Sequence, residues 1–382
     1  RMTVSQNPTA SIQRHFATLK DPRMDRTREH NFLDIITIAI CAAIGGADNW
    51  VDVAAFGRRK RKWFKKFLKL PNGIPSHDTF GRVFALIDAD QFQACFLAWV
   101  QSAFEATKGQ VVPIDGKTLR RSHDKSLGKE AIQMVSAWST ANHIVLGQKK
   151  VASKSNEITA IPDLLKVLEL SGCIVTIDAI GCQKEIAEAI VKKGADYLLA
   201  VKENQGCLYE DIKELFDCAL QENFKDVQHD YCKKVNGGHG RIEIRQCWTI
   251  DDPTFLAYIR NLLGWKNLKS IVMIVSERRV GDKVSVATRY YITSLASNAK
   301  CVLRARREHW SIENSLHWVL DIAFREDESR IRKGNGPQNF AVLRHIALNL
   351  LKQETTAQGG IKCKRLQAAW DEDYLRKVLL GD

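Results

Sequence analysis

The chain has 382 residues, 45% hydrophobic and 26% charged, with 57 lysines and arginines against 44 acids for a formal charge of +13. These values describe a globular protein of two or three domains, long enough to bury a core without staples, and exclude a disordered tail protein. The ten cysteines include no C-x-x-C pair, which argues against a zinc ribbon or a disulfide scaffold and leaves reduced cytosolic thiols as the expectation. The excess of cations favours a polyanionic partner, either nucleic acid or an anionic membrane surface.

Nothing near Arg1 has the pattern of a signal peptide, so a cytoplasmic location is expected. The longest apolar run, residues 32–46, is interrupted by Asp34 and falls short of the roughly 20 residues of a membrane span, which predicts a buried helix. Residues 1–108 have helical periodicity, broken at Asn72-Gly73 and Pro75, after which Ser76 can cap a new helix with Asp78 in its first turn. Before that break, residues 58–69 carry eight cations, among them Arg58, Arg59, Arg61 and Lys65, around Trp63, Phe64, Phe67 and Leu68. This predicts one basic amphipathic helix suited to nucleic acid, with a solvated face or a membrane surface as alternatives.

From about residue 110 strands and helices alternate. Strands are expected at 111–114, 135–138, 143–151, 173–177 and 197–201, with helices around 161–168 and 183–193, the latter stopped by Gly194. Residues 205–297 read as a β-rich insertion with strands at 241–250, 270–276 and 284–293. The helical period then returns from Lys300 to about Lys352, with a break at 334–337. A tail, 353–382, follows. The class expected is α/β: a mixed sheet with flanking helices, preceded by an all-helical N-terminal region.

Asp115 and Asp178 each follow a short apolar strand, where ligand crevices of open α/β sheets lie. Two carboxylates at neighbouring strand ends repel unless a cation sits between them, and a hard divalent ion such as Mg²⁺ suits the place. Each could instead cap a following turn. Glu313 lies at the margin of the stripe formed by Ile312, Leu316, Val319 and Ala323, with His309 and His317 one turn either side. Pointing at the two aspartates, it would complete a three-acid site; the three-residue set His309, Glu313 and His317 is the rival, a zinc site. Cations surround the acids: Lys117, Arg120 and Arg121 after the first, Arg304, Arg306 and Arg307 before the third, Arg330, Arg332 and Lys333 after it. Acids that bind two metals within a basic channel are the apparatus of phosphoryl transfer on a nucleic-acid backbone.

Asp115 in VPIDGKTLRRSHD, Asp178 in IVTIDAIGCQ and Glu313 in REHWSIENSLHWVLDIAFREDESR resemble the three acidic motifs of insertion-sequence DDE transposases, specifically the H-repeat-associated group. HFATLKDPR, GIPSHDTFGRVF, LLAVKENQ, GHGRIEIR and RYYITSL extend the resemblance over residues 10–352. It implies an RNase H-like catalytic core (109–204 and 298–352) interrupted by the 205–297 insertion and preceded by a DNA-binding region. It also implies Asp115, Asp178 and Glu313 as ligands of two Mg²⁺ ions, with Mn²⁺ expected to substitute. The partners implied are double-stranded DNA, as terminal inverted repeats and target, and further copies of the chain in a synaptic dimer or larger assembly, with no membrane.

The broader superfamily has a Tyr, Arg, Glu, Lys signature on the late helix; here Arg306 and His309 hold the first two places and Leu320 the last. Trp248 is the implied candidate for stacking on a flipped base. A DNA-binding remnant or regulator without catalysis, and a nuclease that does not transfer strands, are the competing readings.

Overall fold

The computed structural model describes residues 8–103, 108–123, 130–151, 156–238 and 240–380. Six helices open the chain: α1 (Ala10–Phe16), α2 (Phe32–Ile44), α3 (Trp50–Arg59), α4 (Arg61–Phe64), α5 (His77–Leu86) and α6 (Ala89–Ala103). The apolar run forms α2, capped by Asn31 and buried on every side. Its one acid, Asp34, is 5% exposed and accepts from the Leu70 N–H, where the chain takes a positive φ. Ser76 caps α5 by accepting from Thr79 N, with Asp78 in the first turn as expected.

The basic run is not one helix. The inward face of α3 is Val53, Ala54 and Gly57, and one further turn would bring Lys60 or Arg61 into the core. The chain bends at Lys60 instead, and α4 turns Trp63 and Phe64 inward. Arg58, Arg59, Arg61, Lys62, Lys65, Lys66 and Lys69 remain exposed.

The sheet is built from β1 (Val111–Leu119), β2 (Ile132–Ser139), β3 (Ile144–Lys150), β4 (Ile174–Ile177), β5 (Asp196–Val201), β6 (His229–Gly238), β7 (Arg241–Ile250), β8 (Ser270–Val280) and β9 (Lys283–Thr293). Its order is β3-β2-β1-β4-β5-β9-β8-β7-β6. β1, β4 and β5 are parallel and every other pairing is antiparallel. β4, apolar but for Thr176, is buried on both faces as a central parallel strand must be. α7 (Glu157–Val167) leads from β3 into β4, α8 (Lys184–Lys192) crosses between the parallel strands β4 and β5, and Gly194, at φ 69°, turns the chain into β5.

The predicted insertion therefore has no sheet of its own. After α9 (Gly206–Gln221), strands β6 to β9 return as a meander, interrupted between β7 and β8 by the short α10 (Pro253–Leu256), and β9 zips onto β5 from Leu198↔Thr293 to Val201↔Tyr290. Only the inner end of β9 pairs with β5, and the outer halves of these four strands extend beyond that pairing as an exposed ribbon.

α11 (Ala299–His309), a π-helical turn (Glu313–His317), α12 (Trp318–Phe324) and α13 (Gly336–Gln353) complete the late region. α13 packs on α2, α5 and α6, so the N-terminal helices and the sheet share one core. Residues expected as a tail form α14 (Ile361–Trp370) and α15 (Glu372–Leu380). α14 is locked in by Arg365, whose guanidinium donates to Ala43 O and Ala47 O beside the end of α2, to Ala323 O in α12, and to Asp48. These carbonyls at helix ends have few intrahelical partners, which is why an arginine fork can be buried there. Among the described residues no single helix is long and apolar enough to cross a membrane.

Candidate active site

The parallel ladder between β1 and β4 ends at Ile114↔Ile177. One residue further on each strand stand Asp115 and Asp178, so the register alone makes the two carboxylates neighbours. Their surroundings differ from the expected symmetry. β1 does not end at Asp115, because its other neighbour β2 continues the pairing through Asp115↔Ser136 to Leu119. β4 does end, and Asp178 caps the turn Ala179–Gly181 by accepting from Ile180 N.

Glu313 opens the π-helical turn, with Ile312, Leu316 and Leu320 buried beside it and its own side chain 56% exposed. Asp115, Asp178 and Glu313 line one cleft of about 420 Å³. His317 Nδ1 lies 3.1 Å from Glu313 Oε2 and 3.6 Å from Asp115 Oδ2. Donor atoms of Asp115, Glu313 and His317 all fall within 4.8 Å of one another, a span that one metal ion can bridge. His309 does not join them: its Nδ1 meets Thr176 Oγ1 at 2.9 Å, so the three-residue zinc set is not assembled.

A further carboxylate, Glu157 in the first turn of α7, was not anticipated. Its carboxylate occupies the space beside Gly116, where a Cβ would come within 2.1 Å of Oε1. Burial pushes the Asp115 carboxyl up to about 7, with the charges of Asp178, Glu157 and Glu313 acting in the same direction and the Gly116 N–H opposing them. Burial, then Asp178, likewise raises Glu157. Burial keeps His317 below its ordinary value, as the Lys117 charge does. Clustered hard oxygen donors that destabilise each other's charge fit a divalent cation.

Several cations expected to meet DNA have other work. Lys117, two residues beyond Asp115 on the same face of β1, has a side chain 12% exposed and pairs with Asp321 and Glu326. It is an internal charge, since an unpaired lysine at that depth would be too costly. His317, 4% exposed, is likewise buried behind the acids and absent from the cleft wall. Arg120 pairs with Asp327, Arg332 donates to Arg121 O, and Arg330 is exposed; none of these four arginines lines the cleft. Arg58, Arg59, Arg61 and Lys65 do not line it either.

Arg306 does line it. Its Nε donates to the Tyr291 hydroxyl, and its guanidinium lies 4.9 Å over the Trp310 ring. His309 lines the same wall, and burial brings it down to about 4, leaving it neutral.

The cleft opens into a groove of about 870 Å³ between α11 and the ribbon; Arg289, Tyr291, Arg306 and Trp310 line both. Strand alternation explains its character. The groove face carries Arg241, Arg245, Arg278 and Arg289, while the residues between them, Ile242, Ile244, Val284 and Val286, point to the other side. Trp248 has the parity of that other side, where it stacks on Phe224 and packs against Tyr231. It is thus a packing residue facing away from the acids. Trp310, 52% exposed, lines the cleft together with the acids and Tyr291.

Comparison with known proteins gives concordant results. The profile of the transposase DDE domain matches residues 84–350, and that of the DDE_Tnp_1-associated region matches residues 13–100. The chain is 41% identical over 374 residues to YhhI of Escherichia coli strain K12, named as an H repeat-associated transposase candidate, covering 97% of this chain and 98% of that one. It is 42% identical over 373 residues to YncI of Escherichia coli O157:H7, covering 97% and 94% respectively.

Proposed function

We propose, for a chain that belongs to the DDE transposase family in its H repeat-associated group, that it cleaves DNA at the inverted-repeat ends of a mobile element and joins the freed 3′-hydroxyl to target DNA. The observation that carries this reading is the convergence of three carboxylates from β1, β4 and the π-helical turn on a cleft that continues into an arginine-lined groove. Asp115, Asp178 and Glu313 would hold divalent cations, Mg²⁺ in the cell by the hardness of their oxygens, within an RNase H-like arrangement of β1 to β5. Bound there, such ions supply Lewis-acid polarisation of the scissile phosphate and a more acidic attacking water.

The rest falls to the protein. Lys202, Arg289 and Arg306 bring positive charge to the cleft wall beside the acids, where phosphate oxygens would be met. The Tyr291 hydroxyl fixes Arg306 for that contact. Cleavage and joining are both phosphoryl transfers, so one set of carboxylates serves both and catalysis is mainly positioning and charge stabilisation. Two element ends must be held together, which calls for at least two copies of the chain.

A pre-cut inverted-repeat end incubated with target DNA and Mg²⁺ tests the proposal. Joined product is expected. Hydrolysis alone would indicate a nuclease, and binding alone a catalytically silent regulator.

The groove makes its own prediction. Arg278 and Arg289 are exposed on its wall, and neither has an ion-pair partner among the described residues. Their joint replacement by alanine should weaken binding equally for all DNA sequences and reduce the salt slope by about 2, roughly one per lost phosphate contact. Fluorescence anisotropy at a series of salt concentrations measures both.

A further inference from the structure

We infer that His317 is a positioning residue of the acid cluster, acting through a proton on Nδ1 that it shares between Glu313 and Asp115. The inference rests on the metal-site reading above and names what holds two of its acids at metal-binding separation. Three features of the structure lead to it.

First, the imidazole is buried, its Nδ1 faces the two carboxylate oxygens at 3.1 and 3.6 Å, and its Nε2 has no hydrogen-bond partner among the described residues. A neutral imidazole carries one proton. Here the acceptors lie on the Nδ1 side, so Nδ1 carries a proton and donates to them. In that tautomer Nδ1 is a donor to the acids and has no lone pair to offer a metal.

Second, His317 is missing from the cleft wall that Asp115 and Glu313 share. It grips the carboxylates from behind and leaves the cleft side to the ion.

Third, the backbone around it is pinned. The π-helical turn, Glu313–His317, puts both side chains towards β1, and Lys117 Nζ reaches the His317 carbonyl at 3.3 Å. Lys117 is in turn fixed by Asp321 and by Glu326, the latter joined to Arg344. β1 thus supplies one acid, Asp115, and two residues later the cation that anchors the segment carrying the other. Partners that orient metal-binding carboxylates commonly matter about 10–100-fold for metal affinity.

Two polar substitutions separate this role from a merely structural one. In His317→Asn the amide nitrogen stands close to the place of Nδ1, whereas in His317→Gln it reaches the place of Nε2. Mn²⁺ binding to the full chain, followed by electron paramagnetic resonance, is expected to weaken at least about tenfold in the Gln variant. The Asn variant should remain within about threefold of wild type by the same reasoning on orientation. Melting temperatures of the two metal-free variants should be alike, and the wild-type Mn²⁺ signal should show no imidazole nitrogen coupling. Equal Mn²⁺ affinity in the two variants would overturn the positioning role, and nitrogen coupling in wild type would overturn it by making His317 a ligand. Failure of wild type to bind Mn²⁺, or binding indifferent to Asp115→Asn, would instead remove the metal-site reading itself.

Discussion

Asp115→Asn is expected to abolish Mg²⁺-dependent cleavage and joining, a loss on the order of 10³-fold or more, and to leave DNA affinity within a few-fold of wild type. The same holds for Asp178→Asn and Glu313→Gln. The separation of effects follows from the layout: the acids sit in the cleft, while the arginines proposed to meet phosphate are spread along the adjoining groove.

Stability provides a second readout, of opposite sign. Burial raises the Asp115 pKa from 3.8 to about 7, so the folded chain without metal takes up a proton more readily than the unfolded one. Its contribution to stability is present below pH 3.8 and declines as the pH rises through about 7. At pH 8 metal-free Asp115→Asn should therefore melt no lower than wild type, and added Mg²⁺ should stabilise only the wild type. An active site that costs stability in this way is the usual compromise between function and fold. A metal-free variant that melts well below wild type would mean that Asp115 serves the fold.

The second large effect lies in the charges behind the site. Glu326, 3% exposed, accepts the ion pairs of both Lys117 and Arg344. Glu326→Gln leaves buried Arg344 with no ion-pair partner among the described residues and Lys117 with Asp321 alone, and should cost about 3–5 kcal/mol in urea unfolding at pH 7. Burial alone would raise the Glu326 pKa, yet the charges of Lys117 and Arg344 bring it from 4.5 down to about 2. Its folded value is below the unfolded one. The stabilisation is thus complete above pH 4.5 and is lost as the pH falls towards 2, a limb of the acid unfolding curve that the variant should lack. A variant as stable as wild type would show that solvent reaches Lys117 and Arg344.

What could be read in advance was what local pattern determines. The apolar β4 ending at Asp178, the cap at Ser76, the stop at Gly194 and the margin position of Glu313 each depend on neighbours a few residues away. The proximity of Asp115 and Asp178 also followed, because each comes one residue after the last parallel pair, Ile114↔Ile177.

What stayed hidden depends on distant partners. Lys117 resembles any surface lysine until Asp321 and Glu326, some two hundred residues on, fold over it. Glu157 reads as an ordinary first-turn acid, since only the pleat of β1 opens Gly116 to it. α9 gave no expectation because its surroundings read as β, and β6 because an exposed edge strand needs little apolar alternation. Trp248 faces away from the acids by parity, because within β7 a shift of one residue moves a side chain to the opposite face of the ribbon.

The most direct test of the central claim is the anomalous scattering of Mn²⁺ in crystals of the protein with element-end DNA. The account predicts metal density in the cleft, coordinated at roughly 2.0–2.5 Å by carboxylate oxygens of Asp115, Asp178 and Glu313, beside the scissile phosphate. Density held elsewhere, or a scissile phosphate bound in this cleft with no metal against these carboxylates, would contradict it.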